Sequence, residues 1–345
     1  MPRFFIDIPF DCTGDFMKKV RYGIIGFGAF AERAIMPAIR TSDNSELVAI
    51  QKRSLDMAKW KAEEHGIPFY FDSAERLVAS PDIDAVFIVS ANAQHHTETL
   101  LAAKTKKHVL VEKPMALNAV QGKEMIDACN RANVKFMVGH MLRFSPLIRR
   151  MKEIVQSGQI GEISFARSEF IYDAGMSQRS WLWDKNAAGG GPLFDIGIHC
   201  LDSIRCVLDD TVTSVQSMMR QADGADKVEK TNVMTLRFSH GTLATVYSSF
   251  ESSYRQTYIE FVGTKGSISA FYFTPSNTPT TLEIKIGSQG NLGDVTKEEI
   301  LVPDLYHLEV THFSDCIIHN SPPLISAEVA LHNQEVLDLA IKKNE

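Results

Sequence analysis

The stretch Tyr22–Ile35, YGIIGFGAFAERAI, joins a short apolar run to a helical pattern through two glycines. Its turn, Gly26-Phe27-Gly28-Ala29-Phe30-Ala31, has the spacing G-x-G-x-x-A. Gly26 permits a tight turn, Gly28 lets the backbone approach a pyrophosphate at a helix N-terminus, and Ala31 lets the helix pack closely on the strand. A lone glycine pattern is weak, so its surroundings decide. Downstream, ELVAIQ (46–51), DAVFIVS (84–90), HVLV (108–111) and KFMVG (135–139) read as strands. LDMAKWKAEEHG (55–66), HTETLLAAKTK (96–106) and NAVQGKEMIDACNRAN (118–133) read as helices, the last capped by Asn118. Such alternation implies right-handed βαβ units and a parallel sheet. The glycine turn therefore opens a dinucleotide-binding unit, with Gly26, Phe27, Gly28, Ala29 and Phe30 at the cofactor.

The end of the second strand selects the dinucleotide. An acidic residue there accepts hydrogen bonds from a ribose 2′-hydroxyl. This chain has Gln51-Lys52-Arg53-Ser54 instead, with no carboxylate before Asp56. Lys52, Arg53 and Ser54 suit a 2′-phosphate, so NADP(H) is favoured and NAD(H) stays open.

At 345 residues the chain is too long for one compact core, so two domains are expected. With 36 Lys and Arg against 42 Asp and Glu, the net charge of −6 argues against nucleic-acid or anionic-membrane partners. No apolar run reaches membrane-spanning length. Cys12, Cys129, Cys200, Cys206 and Cys316 are scattered without a C-x-x-C pair, which fits small apolar residues in a reducing, cytoplasmic setting. No His, Cys or carboxylate cluster has metal-ligand spacing. Residues 1–17 lack the pattern of a secretion signal and read as an extension outside the first domain.

HVLVEKPMAL (108–117) puts a lysine straight after a buried strand and fixes the backbone with Pro114. Together with the glycine turn, SANAQHH (90–96), RFSP (143–146) and GGGPLFDIGIHCLD (189–202), it resembles the Gfo/Idh/MocA oxidoreductases. The resemblance runs from about Lys18 to the final helix. It implies a Rossmann domain, placed at 18–141, followed at 142–345 by an α/β domain with a large, open, mostly antiparallel sheet. EISFARSEFIY (162–172), residues 231–252, 258–273 and TLEIKIG (281–287) are strand-rich on their own pattern, with a Ser239-His240-Gly241 hairpin signal. The open sheet face implies a homodimer or homotetramer.

The resemblance brings Lys113 to the nicotinamide and substrate, and suggests a cis Lys113–Pro114 bond. Glu112 supports the fold or the nicotinamide ribose site. Asp195 and His199, four apart, project from one helical face toward the lysine. Gly189, Gly190 and Gly191 allow a close approach to a ligand. Two polar groups converging on a lysine suit alcohol–carbonyl chemistry. His199 takes the O–H proton, Lys113 steadies the developing alkoxide, and Asp195 holds a neighbouring hydroxyl. In reduction, either His199 or Lys113 returns the proton. Ser90, Asn92 and His95 fall where the family contacts the cofactor, although Ala91 replaces the usual proline. Arg143 reaches a ligand or pairs with a carboxylate. Trp181 and Trp183 cover a sugar face or belong to the core, and His140 is similarly open.

The reading is an NAD(P)-dependent oxidoreductase acting on a sugar or polyol. Two alternatives are an NAD-dependent glycoside hydrolase or lyase and a non-catalytic dinucleotide-sensing regulator. The presence of all of Lys113, Asp195 and His199 weighs against the silent regulator.

Overall fold

The computed structural model describes residues 19–177, 179–224, 227–288 and 290–342, so the extension expected at 1–17 lies outside the described residues. Six strands form the first sheet: β1 (Val20–Ile25), β2 (Ser45–Gln51), β3 (Phe69–Phe71), β4 (Ala85–Ile88), β5 (His108–Glu112) and β6 (Phe136–Gly139). Every neighbouring pair is parallel, in the order β3-β2-β1-β4-β5-β6. β4 is buried along its whole length, as expected of a strand covered on both faces. The order reverses between β1 and β4, and the crevice beyond their carboxyl ends is where such sheets bind ligands.

Helices Asn92–Lys104 and Ala119–Ala132 pack on one face through Ala102, Ala103, Met125 and Ile126. On the other face Ile35, Met36 and Ile39 meet Val310 and Phe313 from helix Leu305–Ile318. The chain thus returns, late in its course, to complete the first core. Asn118 caps its helix as anticipated, its Oδ1 accepting from Gln121 N at 3.0 Å.

The second sheet has eight strands: β7 (Ile163–Asp173), β8 (Val212–Gln221), β9 (Glu229–Phe238), β10 (Leu243–Ser249), β11 (Glu251–Gly263), β12 (Gly266–Phe271), β13 (Thr278–Ser288) and β14 (Asn291–Val302). Their order is β14-β13-β12-β11-β7-β10-β9-β8, with only β7–β10 parallel. Helices Pro146–Gln156, Ile198–Leu208 and Ala327–Lys342 cover one face through Ile148, Met151, Leu201, Ile204 and Leu337. The other face is open and presents Met218, Val233 and Phe271. Among the described residues no helix is long and apolar enough to cross a membrane. The four described cysteines are free thiols.

Candidate active site

The glycine turn follows β1 directly. Gly26 has φ +82°, and a Cβ there would lie 2.7 Å from the Ser90 backbone, so only glycine lets the ends of β1 and β4 come so close. Above Gly28 the nearest atom to such a Cβ is the Gly26 carbonyl oxygen at 3.9 Å, leaving space for a ligand backbone to approach. Phe27 is buried and Phe30 packs edge-on against Tyr306, so these two offer the turn their backbone, not their rings. Gln51 braces the turn, its Oε1 accepting from Gly26 N at 3.1 Å. Lys52 donates to the Phe27 carbonyl at 2.6 Å, and Ser54 caps helix Leu55–His65 by accepting from Met57 N at 3.3 Å. Arg53 is exposed and makes no ion pair with another described residue. The turn and its cation are a donor set that fits a phosphorylated dinucleotide.

Lys113 leaves the carboxyl end of β5, and the Lys113–Pro114 bond is cis. Its Nζ donates to the Asp195 carbonyl at 2.7 Å and to Asp195 Oδ1 at 3.3 Å. Asp195 lies on a π turn, Leu193–Gly197, that leads into helix Ile198–Leu208, which carries His199. The first sheet's lysine and the second half's aspartate therefore meet across the junction of the two units. Burial would raise the Asp195 carboxyl, but Lys113, Arg179 and Tyr172 outweigh it and hold the group well below the usual carboxylate range. His199 is 7% exposed and bonds to no other described residue. Burial, then the charge of Lys113 and the neighbouring His140, push its imidazole well below its ordinary value, so it is neutral near pH 7.

Two neighbours were given no role toward Asp195 by the sequence. Arg179 grips Asp195 with both arms, Nη1 to Oδ1 and Nη2 to Oδ2, each at 2.8 Å. The Tyr172 hydroxyl donates to Asp195 Oδ2 at 2.9 Å and accepts from Arg179 Nη2 at 3.1 Å. Sequence spacing carries no signal for either, because β7 and the turn after it approach Asp195 only in the fold. The carboxylate expected to hold a substrate hydroxyl is thus already occupied by protein donors.

The glycines of 189–191 also behave differently from the expectation of close ligand approach. A Cβ at Gly191 would lie 2.0 Å from the Glu229 carbonyl oxygen, and one at Gly190 would lie 2.5 Å from the Phe194 ring. Protein fills the space, and the Glu229 carboxylate accepts from Gly191 N at 2.8 Å and Leu193 N at 3.0 Å. These glycines bring the Asp195 turn against β9.

The remaining expected residues are mostly committed to neighbours. Ser90 donates to Glu98 Oε2 at 2.5 Å. Asn92 Nδ2 donates to the Ala188 carbonyl at 2.8 Å, tying the first unit to the glycine loop. His95 is fully buried between the Pro114 carbonyl (2.9 Å) and the Ser90 carbonyl (3.3 Å), and burial lowers it to about 4. It anchors the turn behind Lys113 and has no surface open to a ligand. Glu112 is buried too. Its Oε2 accepts from Lys113 N, its Oε1 has no partner among described residues, and burial pushes it up to about 7. Arg143 forks onto Asp202 at 2.8–3.0 Å, which settles it as a carboxylate partner. Trp181 and Trp183 are partly buried against the second core, Trp183 edge-on to Phe250 at 5.4 Å. The one described cluster of ligand-type groups, Glu32, Glu64 and His65, is occupied by the Lys61 ammonium at 2.7–2.8 Å.

Residues 20–140 match the family model of an oxidoreductase family with an NAD-binding Rossmann fold, and residues 148–269 match the GFO/IDH/MocA C-terminal domain. A 1,5-anhydro-D-fructose reductase of Ensifer adhaerens is 32% identical over 249 residues, spanning 72% of this chain and 74% of the relative. The chain belongs to the Gfo/Idh/MocA oxidoreductase family. Another member, D-xylose 1-dehydrogenase [NADP(+)] of Haloarcula marismortui, is 26% identical over 91% of this chain and 88% of its own. The crystal structure of an aldose-aldose oxidoreductase from Caulobacter crescentus superposes with a TM-score of 0.85 at 25% identity, covering 95% of this chain and 98% of that one. As a family member the protein is a nicotinamide-dependent oxidoreductase, with the family's Rossmann sheet and second, mostly antiparallel sheet.

Proposed function

We propose that the chain interconverts a hydroxyl of a sugar or polyol with the corresponding carbonyl and prefers NADP(H). The observation that carries the reading is the meeting of Lys113, Asp195 and a neutral, buried His199 at the junction of the two units. The activities named for the two relatives, both on sugars and one with NADP, support the substrate class and the cofactor. The free guanidinium of Arg53 beside the glycine turn supports the 2′-phosphate.

The nicotinamide, when bound, accepts or supplies the carbon-bound hydride. The chain's own groups manage the oxygen and its proton. Lys113 spends two of its three N–H donors on Asp195 and keeps one for the substrate oxygen. In oxidation, neutral His199 takes the hydroxyl proton while the Lys113 ammonium favours the developing alkoxide. In reduction the path runs backwards, and the developing alkoxide takes its proton from protonated His199 or from the Lys113 ammonium.

Two further readings accompany this one. The open sheet face carries an apolar row that suits a second copy of the chain, and the free cysteines fit a reducing cytoplasm. The test is a titration of the protein with NADPH and NADH, followed by a panel of carbonyl sugars with the tighter cofactor. Lys113→Ala and His199→Ala should each lower turnover roughly 10²–10⁴-fold with NADPH binding retained. Turnover unchanged in either variant removes that residue from the mechanism.

A further inference from the structure

Asp195 is saturated. A carboxylate has about four lone-pair positions. Here two Arg179 donors, Tyr172 and Lys113 fill them, and the Asp195 main-chain carbonyl binds Lys113 as well. An acceptor so filled cannot take a substrate hydroxyl without releasing a donor. It can, however, hold the ammonium of Lys113 in one place. Three successive segments build this arrangement: β7 brings Tyr172, the turn after it brings Arg179, and the π turn brings Asp195.

The exposure of the partners is graded. The side chains of Lys113 and Asp195 are 13% and 9% exposed, that of Arg179 is 37%, and its guanidinium lies 5.7 Å from the Trp181 ring. Charge follows the same order. Lys113 and Asp195 alone would be a neutral pair in which the carboxylate draws the ammonium to itself. Arg179 takes the strongest share of that carboxylate and leaves the cluster with one net positive charge. That surplus acts on a developing alkoxide beside Lys113.

We propose that Arg179 is a positioning residue for the reaction: acting through Asp195, it fixes the Lys113 ammonium and keeps its attraction for the substrate oxygen from being cancelled. The inference rests on the oxidoreductase reading of Lys113. In this role Arg179 acts on the ammonium and needs no contact with the reacting carbon or its oxygen. Tyr172 completes the clamp by bridging Arg179 Nη2 and Asp195 Oδ2.

The experiment compares wild type with Arg179→Met, Arg179→Lys and Tyr172→Phe on whichever carbonyl substrate the wild type turns over. Arg179→Met is expected to lower kcat about 10–100-fold, less than the roughly 10²–10³-fold lost when a donor that touches the oxyanion itself is removed. The KM for the sugar and the Kd for NADPH should change little. Methylguanidinium added to Arg179→Met should restore part of kcat, and Arg179→Lys, which keeps the charge and loses the fork, should fall between the two. A raised KM at constant kcat would make Arg179 a substrate ligand and overturn the proposal. A faster variant would make it a latch that closes the site, which overturns it equally, as would wild-type kinetics. A second readout needs no turnover: labelling of Lys113 by acetic anhydride in the cofactor-free protein, read by peptide mass spectrometry. Its rate is expected to change at least threefold in Arg179→Met and to return toward wild type with methylguanidinium. An unchanged rate overturns the proposal even if no sugar is a substrate, whereas absence of any sugar turnover with a changed labelling rate counts against the functional reading alone.

Discussion

Single side chains at this site are defined by what surrounds them. Arg53 is the one cation after β2 with no protein partner among described residues, whereas Lys52 is drawn back to the glycine turn. Arg53→Asp should therefore reverse the cofactor preference toward NADH, measured by fluorescence titration. Equal NADPH affinity in that variant would place the 2′-phosphate elsewhere. A second residue, Glu309, is fully buried, and neither carboxyl oxygen has a partner among described residues. Burial and the nearby Glu112 raise it well above 4.5, so it is neutral in the folded protein. Above the ordinary carboxylate range the unfolded chain has lost this proton, while the folded chain keeps it up to its raised value. Wild-type stability then falls as pH rises, by about 1.4 kcal/mol per pH unit from this group alone. Glu309→Gln removes that slope, so its stability relative to wild type should climb by the same amount in denaturant titrations. Parallel pH profiles for the two proteins would show that Glu309 ionises in the fold.

At the scale of an element, the π turn Leu193–Gly197 shows how local sequence and tertiary packing share the work. In the sequence the glycines of GGGP read as room for a ligand, whereas in the fold they make room for protein. The glycines admit the β9 backbone, and Glu229 supplies the carboxylate that caps the turn. Gly191→Ala forces a methyl against the Glu229 carbonyl, an obstacle of backbone and not of a movable side chain. A loss of about 3 kcal/mol is expected in unfolding titrations, with kcat falling as Asp195 shifts. Full stability would mean that β9 yields locally. The strands of the second half were legible where their faces alternate, as in β9, whose buried and exposed residues follow one another from Asn232 to Phe238. β14 was missed because its residues are exposed along most of their length, so neither periodicity nor burial marks NLGDVTKEEILV as a strand. It exists by pairing with β13.

For the whole molecule, the proposed pairing of two copies rests on the open face of the second sheet. Cross-strand pairing aligns Met218, Val233, Tyr247, Glu169, Tyr258 and Phe271 in one row. The Tyr258 and Phe271 rings lie 4.5 Å apart, and Arg167 sits over Tyr258 while pairing with Glu260. A second copy related by a two-fold axis would cover this row, and roughly 800 Å² per partner is the usual requirement for a stable pairing. Phe271→Arg brings like charges together across such an axis and should shift sedimentation to a smaller species without changing NADPH affinity. An unchanged sedimentation coefficient would mean that this face is not the contact.

The sequence by itself determined the parallel sheet, the glycine turn, the cis Lys113–Pro114 bond suggested by resemblance, and the pairing of Lys113 with the Asp195–His199 segment. The first two rest on local geometry, a strand that must be apolar on both faces and a glycine where φ is positive, whereas the last two came through the family resemblance. Only the tertiary structure decided what each polar group is free to do. His95 and Glu112 face inward because neighbouring elements close over them, and Arg143 is consumed by Asp202. Asp195 is filled by Arg179 and Tyr172, which approach it from 16 and 23 residues away. Hydrogen-bond partners at such separations are set by how sheets and turns pack, and that packing leaves no periodic trace in the chain.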